Sequence, residues 1–300
     1  MLFRSGAFPT EIPEPTYDLA VFQNKFPSLQ HPAPGPAVSG NDLHPVDLAE
    51  GICEVVVYTP RHAGTLADQP LNQIEKLVYV WTDRYEQLGA KDFIDYVFIF
   101  ENKGRAIGVT LDHPHGQIYA FPYIPPYIQT ELASEQAHLD CTGNCLMCDV
   151  LADEYSDYGE AGQPRRVVAE NDSFVAFIPF FARWPYETYL APKSHRASLA
   201  ELDSVEKHEL AVLLKRLLLG YDRLFGFSLP YIMVMHQAPV DGGAWPGSHL
   251  HIEFYPPNRT AQKLKYLAGC ESGAGSYIND TLAEEKAADL RAVVPTEAEL

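Results

Sequence analysis

His113-Pro114-His115-Gly116-Gln117 decides both the fold and the chemistry of this 300-residue chain. Two imidazoles two residues apart fall on the same face of an extended strand. A glycine follows at once, which lets a ligand approach the backbone closely. A carboxamide comes two residues later on that face. The set supplies a nucleophile, a neighbour able to bind metal and a neutral donor for an anionic oxygen. Phosphoryl or nucleotidyl transfer uses such a set: a neutral imidazole attacks phosphorus while the donor takes the developing charge. A bare His-x-His also reads as a surface pair at a strand end. The five-residue string is far rarer by chance.

Outward from this stretch, the chain alternates strands and helices. Tyr17 to Phe22, Cys53 to Tyr58, Asp95 to Glu101 and His115 to Tyr123 read as strands. Residues 70 to 88 carry Leu71, Ile74, Leu77, Val78, Trp81, Tyr85 and Leu88 at helical spacing. The second half repeats this order. Phe174 to Pro179, Glu187 to Ala191, Tyr231 to His236 and His249 to Tyr255 read as strands, and residues 204 to 224 as a helix. His62 precedes the first helix and His195 the second. Asn102 and His236 end corresponding strands. His113-x-His115 and His249-x-His251 close the two units, 51 and 54 residues after the earlier histidines. Shared order over so many landmarks implies internal duplication. The expected fold is α+β: mainly antiparallel sheet with packed helices, in two units at 1–135 and 136–300 with adjoining sheets. Thr281 to Leu290 reads as a capped C-terminal helix without chemistry.

Composition narrows the partners. The chain is 46% hydrophobic and 12% aromatic, as expected for a globular protein with a sizeable core. A net charge of -18 argues against a nucleic-acid backbone as partner. No apolar run is long enough to span a membrane. The first residues lack the apolar segment of a signal peptide. Five cysteines, two in a Cys-x-x-Cys, favour metal or free thiols over disulfides, which points to the cytoplasm.

Cys145-Leu146-Met147-Cys148 has the gap that lets two thiolates share one tetrahedral ion. His195 and His249 are the matching candidates from the same unit. Two sulfurs and two nitrogens close a zinc site and make its role structural. The alternative is a pair of buried reduced cysteines. His62 and His113 form the histidine half of such a site in the first unit, where metal is doubtful. Cys53 stands alone in a strand and reads as core.

The motif resembles that of the galactose-1-phosphate uridylyltransferase family, the transferase branch of the histidine-triad superfamily. Further islands resemble it too: Val21-Phe22-Gln23-Asn24-Lys25-Phe26-Pro27, Phe100-Glu101-Asn102-Lys103-Gly104, Trp184-Pro185-Tyr186-Glu187 and Phe254-Tyr255-Pro256-Pro257. The resemblance implies a double displacement. His115 takes uridylyl from UDP-glucose, expels glucose 1-phosphate, and passes the group to galactose 1-phosphate. It makes Gln117 a donor to a phosphoryl oxygen, with Asn102 acting similarly. Phe22 and Asn24 fall beside the uridine, and Gly108 and Thr110 on the phosphate side. Lys265 and Glu271 match positions that contact the hexose phosphate, although Lys265 alone also reads as an ordinary surface lysine. Cys270 replaces an aromatic residue there and Tyr277 a glutamine, which puts the acceptor sugar more in doubt than the nucleotide. Asn279 offers a substitute polar group.

The resemblance also implies a second choice for the metal of the second unit. Glu131, His236 and His251 match its ligands, and Glu253 stands where a third histidine is usual. Family members carry a further cysteine pair in the first unit, upstream of the segment beginning here near Thr16. Either the N-terminus lies further upstream, a separate chain supplies that pair, or this copy has lost the metal. The family implies a homodimer. The competing readings are a related nucleotidyltransferase or phosphorylase using another nucleotide sugar, such as ADP-glucose, and a truncated remnant that only binds nucleotide.

Overall fold

The computed structural model describes residues 12, 16–109, 111, 113–159, 162 and 164–300. Its strands in chain order are β1 (Ala20–Gln23), β2 (Ile52–Val57), β3 (Tyr96–Lys103), β4 (His115–Phe121), β5 (Val167–Glu170), β6 (Phe174–Phe177), β7 (Thr188–Pro192), β8 (Tyr231–His236) and β9 (His251–Tyr255). The helices are α1 (Leu71–Gly89), α2 (Pro126–Thr142), α3 (Leu146–Glu154), α4 (Ser204–Leu224), α5 (Gly269–Ala274) and α6 (Ala283–Arg291). All nine strands form one antiparallel sheet, in the order β1-β2-β4-β3-β8-β9-β7-β6-β5. The two halves therefore share one continuous sheet, joined where β3 pairs with β8. The expected boundary between residues 135 and 136 falls inside α2.

Alternation along each strand separates the two faces. Val56, Val97, Ile99, Ile118, Met233, Met235, Ile252, Phe254 and Leu190 point to the back, where α1, α4 and α6 bury them in one continuous core. Asp203 fixes the start of α4: its carboxylate accepts from the N–H groups of Val205 and Glu206, and Glu206 accepts in return from the Asp203 N–H. On the front face, α3 packs against Val175, Phe177, Tyr189 and Ala191, and α2 against Tyr96 and Phe98. α3 covers strands of the second half, and α2 lies over the junction of β3 and β8. Among the described residues, no helix lies over the front of β1, β2 and β4.

Three readings change. β5, α2 and α3 are additions to the expected elements. α6 starts two residues into the expected segment, and its N-cap is Leu282, with no side-chain cap. His113 lies just before β4, not on it, so its ring does not share a strand face with His115.

Candidate active site and metal centre

β4 carries His115 and Gln117 on the open front face, flanked by Val57 and Val55 of β2. Gln117 also lies opposite Phe100 of β3, and Phe22 of β1 continues this row beyond Val55. The His115 Nδ1–H donates to the His113 carbonyl at 2.7 Å. That bond fixes the tautomer and leaves the Nε2 lone pair for attack. His115 borders a groove with a volume of about 300 Å³, together with Thr65, Asn102, Arg105 and, from the loop after α4, Ser228.

Gly116 has another role than the one expected of it. It faces the back of the sheet, and a Cβ there would lie 2.2 Å from the Tyr58 hydroxyl. The missing side chain makes room for a tyrosine, not for a ligand.

Of the other residues expected on the nucleotide side, the described ones do not line this groove. Asn24 donates its N–H to the Cys53 carbonyl at 2.8 Å and accepts from the Phe26 N–H at 3.0 Å, closing a tight turn. Gly108 ends a short 3₁₀ turn with φ +90°, a left-handed backbone suited to glycine. Thr110 lies outside the described residues. Lys265 and Glu271 sit elsewhere in the single chain. They pair with each other at 3.0 Å in the second half, and Lys265 also donates to the Arg183 carbonyl at 2.5 Å. Lys265 is 3% exposed, so it is not an ordinary surface lysine. Asn279 is likewise engaged, donating to the Ala182 carbonyl at 2.9 Å.

His113 turns its ring toward His62. Its Nε2–H donates to the Thr59 carbonyl at 2.7 Å, and its Nδ1 faces the Nδ1 of His62 at 2.9 Å. Burial lowers the His113 pKa, which keeps that lone pair available. The same arrangement recurs in the second unit. The His249 Nε2–H donates to the Pro192 carbonyl at 3.0 Å. Its Nδ1 stands 3.5 Å from both Cys145 Sγ and Cys148 Sγ, and Cys148 Sγ is 3.9 Å from His195 Nδ1. Sulfur and nitrogen on one tetrahedral zinc lie roughly 3.6 Å apart, given ordinary zinc–ligand bond lengths. Burial holds His249 down at about 4, so it is neutral, and pushes the Cys148 thiol up, so a cation is what would draw off its proton. These four residues fit a closed metal site.

A second cluster lies two residues further along the chain, where β9 begins at His251 and not at His249 as expected. Glu131 reaches from α2 to His236 Nδ1 at 2.7 Å and to His251 Nε2 at 3.4 Å. Glu253 lies 3.2 Å from His251 Nε2. Its other oxygen accepts from Arg183 at 2.9 Å. Burial alone would lower the His251 pKa, but Glu131 and Glu253 raise it to about 9. Burial raises Glu253 while His236 and His251 overcome it, holding the carboxyl well below the usual range. His251 thus serves as a cation beside both carboxylates. His251 donates Nδ1–H to the His249 carbonyl at 2.9 Å, as His115 does to His113. It is the counterpart of the nucleophile, with Glu131 standing in front of its Nε2. Both clusters bring their four potential ligand atoms within 4.8 Å of one another, which establishes a capacity to bind metal.

One feature had no sequence signal. Arg183 joins Glu187, Glu253, Tyr127 and Tyr255, and its guanidinium also lies over the rings of Tyr127, Tyr255 and Tyr277. With Trp184 and His236 these groups line an aromatic cavity of about 310 Å³.

Comparison with known proteins agrees with this geometry. Residues 8–125 match the model of the galactose-1-phosphate uridyl transferase N-terminal domain, and residues 131–299 that of its C-terminal domain. A galactose-1-phosphate uridylyltransferase of Thermotoga maritima is 42% identical over 284 residues, covering 94% of this chain and 86% of that one. That of Haemophilus influenzae is 36% identical over 274 residues, covering 91% and 76%. A solved uridylyltransferase structure superposes with a TM-score of 0.85 at 36% identity, covering 93% of this chain and 86% of that one. An ADP-glucose phosphorylase from Arabidopsis thaliana superposes with a TM-score of 0.80 at 25% identity, covering 97% and 86%.

Proposed function

The chain belongs to the galactose-1-phosphate uridylyltransferase family, and from this we propose how its residues perform the exchange of UMP between UDP-glucose and galactose 1-phosphate. His115 Nε2 attacks the α-phosphorus of UDP-glucose, and glucose 1-phosphate leaves with the electron pair of the broken P–O bond. The uridylyl-imidazole is cationic and stays activated, so the phosphate oxygen of galactose 1-phosphate displaces the imidazole and releases UDP-galactose. The Nδ1–H bond to the His113 carbonyl carries this reading, because it aims the lone pair outward and supports the charge that develops on the ring. Gln117 and Asn102 donate to the phosphoryl oxygens. Phe22 and Asn24 hold the uridine end, and Gly108 and Thr110 the phosphate side. Lys265 and Glu271 take the hexose phosphate, from a position that a second subunit could present across the open front face. A homodimer in the cytoplasm is the state in which we place the enzyme, with the chain read as two duplicated units, 1–135 and 136–300.

Cys145, Cys148, His195 and His249 would hold zinc. Bound there, the ion would supply rigidity to the second half and take no part in the reaction. The Glu131, His236, His251 and Glu253 set is the second choice, because Arg183 already occupies one of its carboxylates. His62 and His113 would form a partial first-unit site that orients the approach to β4.

Intact mass after incubation with UDP-glucose tests the reaction. A uridylyl adduct that disappears on adding galactose 1-phosphate, and is absent in His115→Asn, is the expected result. An adenylyl adduct from ADP-glucose in place of it would favour the phosphorylase-type reading. Absence of both would overturn catalysis by this chain.

A further inference from the structure

The back of the nucleophile strand is held by a polar group where a core would ordinarily be apolar. Tyr58 donates its backbone N–H to the Pro114 carbonyl at 3.1 Å. Its hydroxyl fills the space where a Gly116 side chain would stand and donates to Glu101 Oε2 at 3.2 Å. The Tyr231 hydroxyl donates to Glu101 Oε1 at 3.3 Å. Both tyrosines are fully buried, and Glu101 is 5% exposed. Glu101 immediately precedes Asn102, and Gly116 lies between His115 and Gln117. Tyr231 belongs to β8, so the group spans the junction between the halves.

We propose that Tyr58, Glu101 and Tyr231 are positioning residues for the uridylyl transfer. They fix β3 and β4 from behind so that Asn102, His115 and Gln117 face one phosphate. Gly116 is glycine because the Tyr58 hydroxyl takes its side-chain volume. A fully satisfied buried network gives one geometry rather than several. Misplacement of a reacting group by about 1 Å costs on the order of 100-fold in rate, so such a device acts on turnover more than on affinity.

The inference rests on His115 as nucleophile, and its test has one readout that needs no uridylyl transfer. Four forms are compared: wild type, Tyr58→Phe, Gly116→Ala and the double variant. Single-turnover uridylylation by UDP-glucose gives the rate and the half-saturating concentration. Diethyl pyrocarbonate labelling, mapped by mass spectrometry to His115, gives the accessibility and alignment of Nε2 directly. Tyr58→Phe is expected to slow uridylylation about tenfold and to change His115 labelling, with half-saturation moving less than about twofold. Gly116→Ala is expected to lose about 100-fold, and adding Tyr58→Phe to restore part of it by removing the clashing hydroxyl. Unchanged rate and labelling in Tyr58→Phe, or a double variant no faster than Gly116→Ala, would overturn the proposal. If the wild type forms no adduct, the functional reading fails, and the labelling rates still decide the network.

Discussion

The Nδ1–H of His115 donates to the backbone carbonyl of His113 at 2.7 Å. The bond is made within the motif itself, so the proline between the two histidines serves the nucleophile by stiffening the chain that supplies the acceptor. His115→Asn should abolish the adduct and lower exchange by roughly 10⁴-fold or more, since no other group supplies the covalent step. A chemically quenched assay of labelled UDP-glucose reads this.

Gln117 tests the donor role separately. It lies on the face and strand of His115, and its proposed role is to donate to the phosphate rather than to form the bond. Gln117→Ala should slow uridylylation by about 10²- to 10³-fold, as for loss of one oxyanion donor, while the adduct still forms on long incubation. An adduct formed at the wild-type rate would remove Gln117 from the mechanism.

The metal prediction turns on Cys148. If zinc is held by the Cys145 cluster, Cys148→Ser should release it and lower the melting temperature, because a structural zinc contributes folding energy. Metal content measured by plasma mass spectrometry should fall from one equivalent to near none. Retained zinc would assign the ion to the Glu131 cluster. Two equivalents in the wild type would show a second occupied site, in the Glu131 set or at His62 and His113.

Periodicity revealed the elements whose buried faces are apolar. α4, with Leu210, Leu213, Leu214 and Leu217 inside, runs over the expected residues 204 to 224. α2 escaped because its buried residues are Ile128, Leu132 and Glu135, with Glu131 turned to His236. A helix that presents carboxylates inward has no apolar stripe to find. The same principle explains Gly116. Its role depends on Tyr58, which is remote in sequence and adjacent only after β2 pairs with β4. The Cys145 cluster was legible because its spacing encodes ligand geometry locally, whereas the contacts of Arg183 are made by four separate segments.

Arg183 should be the most sensitive polar residue outside the active site. Glu187 is fully buried, and burial keeps its pKa raised even beside the guanidinium, while Arg183 itself is held far above its ordinary range. The attraction therefore does not fully offset the desolvation of Glu187. Arg183→Met leaves Glu187 without its cation and takes one of several partners from Glu253, and should cost about 3–5 kcal/mol. Urea unfolding measures it, and a loss below about 1 kcal/mol would show that the two carboxylates are neutralised in another way.

Glu101 gives a pH signature. Burial raises its pKa from 4.5 to about 7, outweighing Lys103 and the hydrogen bonds from Tyr58 and Tyr231. A carboxyl whose folded pKa is raised contributes its full stability below its unfolded value and loses it as pH rises through the folded one. The loss attributable to Glu101 therefore falls between about pH 4.5 and 7 and amounts to at most about 3 kcal/mol. Glu101→Gln removes this titration while keeping two groups able to bond the tyrosines. The stability difference between variant and wild type, from urea midpoints at pH 5 and pH 8, should move in favour of the variant at the higher pH. A difference independent of pH would mean that the Glu101 carboxyl ionises near its ordinary value despite its burial.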